Sequence, residues 1–261
     1  MGIQASSGGT SDMTTALTFA PVGDCALSAV FGDTISPDIN KRIRHVVTAL
    51  SEETASGIVE MVPTYASLLV VYDPLIVSYE ELCHHIRCIA ADAKSGETSD
   101  TVRIVEIPTV YGGEYGMDIK NVCNHTGLSE SEVVAMHSGT DYLVYMLGFI
   151  PGFTYLGGMN QALATPRLST PRTLIPAGSV GIAGAQTGIY PSESPGGWQI
   201  IGRTPLTLYD GSKEQPTLLS AGDYVRYVPI TKEEYQRIGA LGSDYTVTVH
   251  EVKERELNGN R

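Results

Sequence analysis

The chain has 261 residues, and at 42% apolar and 18% charged it has the composition of a folded globular protein long enough for one or two cores. A net charge of −12 argues against a broad nucleic-acid or acidic-membrane surface. Apolar runs such as Ser67–Val71 are far too short to span a bilayer.

Residues 1–15 are small, polar and Gly/Ser-rich, which predicts a flexible tail rather than a secretory signal. Met1-Gly2 with Ser6 fits the acylation pattern, but no polybasic second signal follows, so no membrane anchor is expected. A first domain is read over 16–95. Thr15–Ala20 and Cys25–Phe31 read as strands about a Pro-Val-Gly-Asp turn. Ser36-Pro37-Asp38 opens a helix in which Ile39, Ile43, Val46, Val47 and Leu50 share one face. Ile58–Pro63 and Ser67–Tyr72 follow as strands. Ser78 and Glu81, at capping-box spacing, open a second helix with Leu82, Ile86 and Ile89 on its face. The order ββαββα predicts a small α/β sandwich with helices on one face of a sheet.

Ala91–Asp100 is polar and reads as a linker to a second domain over 96–252. A strand is expected at Thr101–Val110, a helix around Asp118–Thr126, and a short helix after the Ser129/Glu132 capping box. The texture then changes. Tyr142–Gly202 holds three charged side chains, Arg167, Arg172 and Glu193, and Gly139–Pro205 carries 12 of the 28 glycines and 7 of the 14 prolines. Such a segment cannot be long helix; it must be short strands and tight turns, buried or lining a cleft. Further strands are read at Thr204–Tyr209, Tyr224–Pro229 and Tyr245–Val249, and 253–261 reads as a polar tail. Many short strands with no exposed edge predict a closed β-barrel, so the fold class is α+β.

The cysteines Cys25, Cys83, Cys88 and Cys123 show no CxxC spacing and read as free thiols of a reducing, cytoplasmic compartment. The six histidines have no paired metal-ligand spacing, so no metal site is expected. The stretch Gly178–Gly184 lacks the lysine of a phosphate-binding loop, and no G-x-S-x-G is present. No cofactor is therefore expected on this chain alone.

The chemistry concentrates in the charge-poor block. Phe149, Phe153 and Tyr155 stand among glycines in Leu147–Gly158. They either plug a barrel turn or form a cleft wall where glycine admits a ligand to the backbone. Arg167 and Arg172 need partners in so apolar a setting: Glu193 or a distant carboxylate, or a substrate anion held by the guanidinium fork. The backbone around Gly178, Gly181 and Gly184 has the bareness of an anion nest or of plain turns. Gln186 suits an amide substrate. Tyr190, Gly197, Trp198 and Arg203 complete the block, although a lone Trp is more often a core anchor.

These strings, Pro-Ala-Gly-Ser-Val-Gly-Ile-Ala-Gly at 176–184, Gln-Thr-Gly-Ile-Tyr-Pro at 186–191, Ser-Pro-Gly-Gly-Trp at 194–198 and Ile-Gly-Arg-Thr-Pro at 201–205, resemble the family of the B-type subunit of 5-oxoprolinase. It is also called allophanate hydrolase subunit 1 or the carboxyltransferase C/D-subdomain family and includes the Kip inhibitor of a sporulation kinase. Gly23-Asp24, Val62-Pro63, Tyr72-Asp73-Pro74, Tyr111-Gly112-Gly113-Glu114 and His137-Ser138 fit the same family over roughly residues 17–250. The resemblance implies a cyclophilin-like barrel after the small first domain. It implies C-type and A-type partner subunits, with ATP and Mg at the level of the complex, and hydrolysis of the lactam 5-oxoproline to glutamate. The chain alone is expected to be inactive. The expected catalytic residues are Gln186, Arg172 and Arg203. The expected substrate contacts are Phe149, Phe153, Tyr155 and Arg167, then Gly181, Gly184, Tyr190, Gly197 and Trp198. The alternatives are a binding module that docks on a sensor histidine kinase, and an allophanate hydrolase or urea carboxylase type of carboxyltransferase subunit.

Overall fold

The structure, a computed structural model, describes residues 17–52, 57–92 and 101–257. The 1–15 tail and most of the 91–100 linker lie outside the described residues. By contact density the chain divides into two compact units, Met1–Lys94 and Ser95–Arg261.

In the first unit β1 (Thr18–Pro21), β2 (Ala26–Val30), β4 (Ser67–Tyr72) and β3 (Ile58–Pro63) lie side by side in that order, every pair antiparallel. The helices α1 (Pro37–Glu52) and α2 (Tyr79–Asp92) bury the faces their periodicity marks: Ile43, Val46 and Leu50 from one, Leu82, Ile86 and Ile89 from the other. They meet Leu27, Ala29, Leu68 and Val70 of the sheet. The α2 cap is closed as expected: Ser78 N–H donates to Glu81 Oε2 at 2.9 Å, and Glu81 N–H donates to Ser78 Oγ at 3.2 Å.

The second unit winds eight strands into one sheet. β5 (Thr101–Tyr111) is its spine. β13 (Tyr224–Pro229) runs parallel to it, and β6 (Asp141–Leu147) and β7 (Thr154–Gly157) continue outward. On the other side β12 (Gln199–Arg203) pairs only with the end of β5, at Val110 and Tyr111. It leads to β9 (Ser179–Ala183) and β10 (Gln186–Ile189). β14 (Val249–Lys253) covers the stretch of β5 that β12 leaves open, Thr101–Val105. The outer strands β7 and β10 come back together without a ladder between them, so the sheet is a nearly closed barrel. A separate ribbon pairs β8 (Arg172–Ile175) with β11 (Ser194–Gly196). The helices α3 (Ile119–Thr126) and α4 (Glu130–Ser138) deliver Ile119, Val122 and Val133 to the core.

Two expectations are corrected, and one helix is added. Thr204–Tyr209 forms no strand: Pro205 has no N–H, Leu206 N–H goes to Thr204 Oγ1 at 3.3 Å, and a single bridge, Tyr209 to Thr217, remains. The last strand lies at Val249–Lys253 rather than Tyr245–Val249. The segment between β13 and β14 contains an unforeseen helix, α5 (Lys232–Leu241), capped by Thr231. A short final helix, α6 (Glu254–Leu257), follows β14.

Candidate functional site

Phe153 ends a tight loop and enters the second unit as the hub of an aromatic cluster. Its ring meets Tyr155 at 5.2 Å, Tyr190 at 5.5 Å, and Phe149 and Trp198 at 5.7 Å, all steeply inclined. Edge-to-face pairs of this kind bring the positive ring edge to the negative face. Gly188 makes the packing feasible, because a Cβ there would stand 3.1 Å from the Trp198 ring and 3.3 Å from that of Phe153. These rings, with Arg167, Pro195, Gly196 and Gly197, line a cavity of about 240 Å³.

Arg167 is held at this cavity by its neighbours in the chain. Pro166 C=O accepts from Gln199 Nε2 at 3.0 Å, and Leu168 N–H donates to Gly197 C=O at 2.7 Å. Its guanidinium lies 5.9 Å from the Trp198 ring centre. No carboxylate pairs with it among the described residues, in contrast to Arg103, Arg172, Arg226 and Arg237. Burial pushes the Tyr190 phenol up to about 12, with Arg167 pulling the other way. At neutral pH that hydroxyl stays protonated and is a hydrogen-bond donor, not a base.

The expected residues thus separate. Phe149, Phe153, Tyr155, Arg167, Tyr190, Gly197 and Trp198 come together at one cavity. The three residues expected to be catalytic do not line it. Arg172 is paired with a carboxylate: Nη1 donates to Asp118 Oδ2 at 2.8 Å and Nη2 to Oδ1 at 2.6 Å. Asp118 also accepts Ile200 N–H at 2.8 Å, so it ties the β8–β11 ribbon to the strand after Trp198. The distant-carboxylate alternative holds; Glu193 is exposed and takes no part. Arg203 faces elsewhere, 5.7 Å from the Tyr115 ring centre, which Lys232 approaches to 5.9 Å. Gln186 opens β10 opposite Ala183.

The glycines form no anion nest. Gly178 N–H donates to Tyr190 C=O at 2.7 Å and Gly184 N–H to Thr165 C=O at 2.8 Å. Gly181 is paired on both sides within the sheet, with Gly188 and Ile200. Gly181 still matters to the cavity, since a Cβ on it would crowd Trp198 Cβ at 3.2 Å.

Behind the hairpin runs a buried polar chain that no sequence pattern announces. His137 is fully buried. Thr187 Oγ1 donates to Gly181 C=O at 3.1 Å, so its oxygen accepts from His137 Nε2–H at 2.8 Å. His137 Nδ1 is left to accept from Tyr111 O–H at 2.8 Å. Burial holds the imidazole pKa down at about 3, and Tyr227 packs on the ring at 4.5 Å.

Comparison with known proteins places this geometry in a class. Residues 17–219 match the family described as carboxyltransferase domain, subdomain C and D, and the chain belongs to that family. Within it the chain is 42% identical over 236 residues to the B-type subunit of 5-oxoprolinase from Bacillus subtilis (strain 168), covering 85% of this chain and 97% of that one. The solved structure of TTHA0988 is 37% identical with a TM-score of 0.71; the match covers 79% of this chain but only 40% of that longer one. Urea amidolyase of K. lactis shares the fold at a TM-score of 0.74 and 21% identity, over 95% of this chain and 17% of that one. No helix among the described residues is long and apolar enough to cross a membrane.

Proposed function

We propose that this chain is the B-type subunit of an ATP-dependent 5-oxoprolinase and that the aromatic cavity holds the substrate. The likeness to a named B-type subunit of 5-oxoprolinase along nearly its whole length supports the first part. Arg167 supports the second: it is a guanidinium without a carboxylate partner among the described residues, in the lining of a cavity it shares with five aromatic rings. 5-Oxoproline is a flat five-membered lactam with one carboxylate. Its ring faces suit Phe153, Tyr155 and Trp198, and its carboxylate suits the fork of Arg167. The protonated Tyr190 hydroxyl supplies a donor for the lactam carbonyl.

Opening this amide by water alone is slow, and ATP solves that chemically. Transfer of the γ-phosphoryl group to the lactam oxygen makes C5 electrophilic. Water attacks C5, the ring C–N bond breaks as the nitrogen takes up a proton, and γ-glutamyl phosphate is left; a second water hydrolyses this acyl phosphate, and glutamate, ADP and phosphate result. This chain binds and orients the lactam. ATP and Mg belong to A-type and C-type partner subunits. The occurrence of the same fold as two fifths of a longer chain fits a unit that works beside another. Alone, the chain is expected to be inactive.

The test is hydrolysis by the complex reconstituted from all three subunits. Arg167→Gln should raise KM for 5-oxoproline at least about tenfold, the effect of 1.4 kcal/mol on binding, and erase the preference for 5-oxoproline over pyrrolidin-2-one, which lacks the carboxylate. An unchanged KM removes the substrate from this cavity. Absence of ATP-dependent hydrolysis by the wild-type complex removes the reaction itself.

A further inference from the structure

Among the described residues, Phe149 is the one non-glycine residue with positive φ, at 71°. Left-handed backbone is disfavoured for a bulky side chain, and such strain persists only where the surroundings impose it. They do so here. Ile150 N–H donates to Gly148 C=O at 2.9 Å across Phe149, which closes a three-residue γ-turn. Gly148 N–H donates to Phe153 C=O, and Phe153 N–H to Ile150 C=O, both at 3.1 Å. Gly152, at φ 80°, anchors the loop: a Cβ there would stand 2.8 Å from Tyr209 Cβ and 3.3 Å from Pro191 Cβ.

Packing does not explain why a phenylalanine occupies this turn. The residue is 67% exposed, and among the described residues its one ring contact is a steep one with Phe153 at 5.7 Å. Glycine or asparagine would suit the backbone better, and a polar residue would suit the exposure better. What the ring does possess is a place in the lining of the cavity that Arg167 and Trp198 also line. An apolar face kept in water by a strained turn costs the free protein stability; that cost is offset once a ligand covers it.

We propose that Phe149 is the cap of the cavity: its ring, presented by the strained turn, closes over one face of the bound lactam and holds it in place. This rests on the reading of the cavity as the 5-oxoproline site. It follows that stability and binding respond in opposite directions at this residue. A residue kept for the fold would lose both together.

Trp198 is the chain's only tryptophan and lines the same cavity, so its fluorescence reports occupancy. The experiment titrates 5-oxoproline into the full chain, wild type, Phe149→Gly and Phe149→Tyr, by fluorescence and by calorimetry, and records thermal melts. Phe149→Gly should melt at or above the wild-type temperature, because glycine takes φ 71° without strain, yet bind about tenfold more weakly. Phe149→Tyr should bind like the wild type, since it keeps the ring. If the wild type binds 5-oxoproline and Phe149→Gly binds it equally well, the cap is wrong and the cavity stands. A lower melting temperature for Phe149→Gly together with weaker binding also overturns it, making the ring structural. If neither method detects wild-type binding, the cavity assignment falls and takes the cap with it.

Discussion

Arg172 and Arg167 stand five positions apart in a segment almost free of charge, and the structure gives them opposite situations. A guanidinium in an apolar stretch must find an anion; that much can be read from composition. Which anion cannot, because Asp118 lies 54 positions away from Arg172 on no shared pattern. Arg172→Ala would leave Asp118, 3% exposed, without its counter-charge. The second unit should lose about 3 kcal/mol, the usual effect of breaking a buried pair by removing one member. Arg172→Lys should lose part of that, because the ammonium cannot make the two parallel bonds. Denaturant melts check both, and activity of the reconstituted complex should track the folded fraction. A variant that melts like the wild type but fails in turnover would return Arg172 to the substrate. The aromatic residues were easier to anticipate: rings among glycines in a charge-poor run either fill a core or wall a cleft, and Phe153 and Trp198 do both.

Elements whose side chains repeat at 2 or 3.6 residues were legible from the sequence, as α1, α2, β3 and β4 show. What failed was structure decided by neighbours in space. β14, with His250, Glu251 and Lys253, has the composition of a loose end. It forms a strand because β12 leaves Thr101–Val105 of β5 unpaired. The chain Tyr111–His137–Thr187–Gly181 is equally non-local, joining α4 to β5 and to the β9–β10 hairpin behind Trp198. Its pH dependence has a definite sign. In the fold His137 takes up a proton only near pH 3, while in the unfolded chain it does so near its ordinary 6.5. The stability that comes with the neutral imidazole is therefore complete above pH 6.5 and is lost as pH falls from 6.5 toward about 3. Over that window this group should contribute a slope of about 1.4 kcal/mol per pH unit. His137→Gln should be less stable at pH 7 by about 1–3 kcal/mol, since buried partners are left poorly satisfied. It should also lack that share of the acid slope, so the two curves converge on acidification. Urea melts at pH 7, 5.5 and 4.5 measure this; parallel curves would mean that His137 carries no such burden.

At the scale of the whole molecule, each unit closes a core of its own. Leu27, Ile43, Leu68 and Ile86 belong to one cluster, and Val105, Tyr142, Ile182 and Tyr227 to another. Every residue lining the aromatic cavity lies between Phe149 and Trp198, within the second unit. The Asp118–Arg172 pair that braces its wall and the His137 chain behind its hairpin lie within that unit as well. Among the described residues, no lining or bracing residue is drawn from the first unit. A chain of residues 95–261 alone should therefore unfold in one cooperative transition and bind 5-oxoproline with a dissociation constant within about threefold of the full chain's, a difference under 1 kcal/mol. Trp198 fluorescence measures both. Should the shorter chain fold but lose the ligand, the first unit would have to complete the cavity, and Arg167 could not be its sole anchor. Should it bind but fail to support hydrolysis in the complex, the role of the first unit lies in assembly with the partner subunits, and the two units divide the work between docking and holding the lactam.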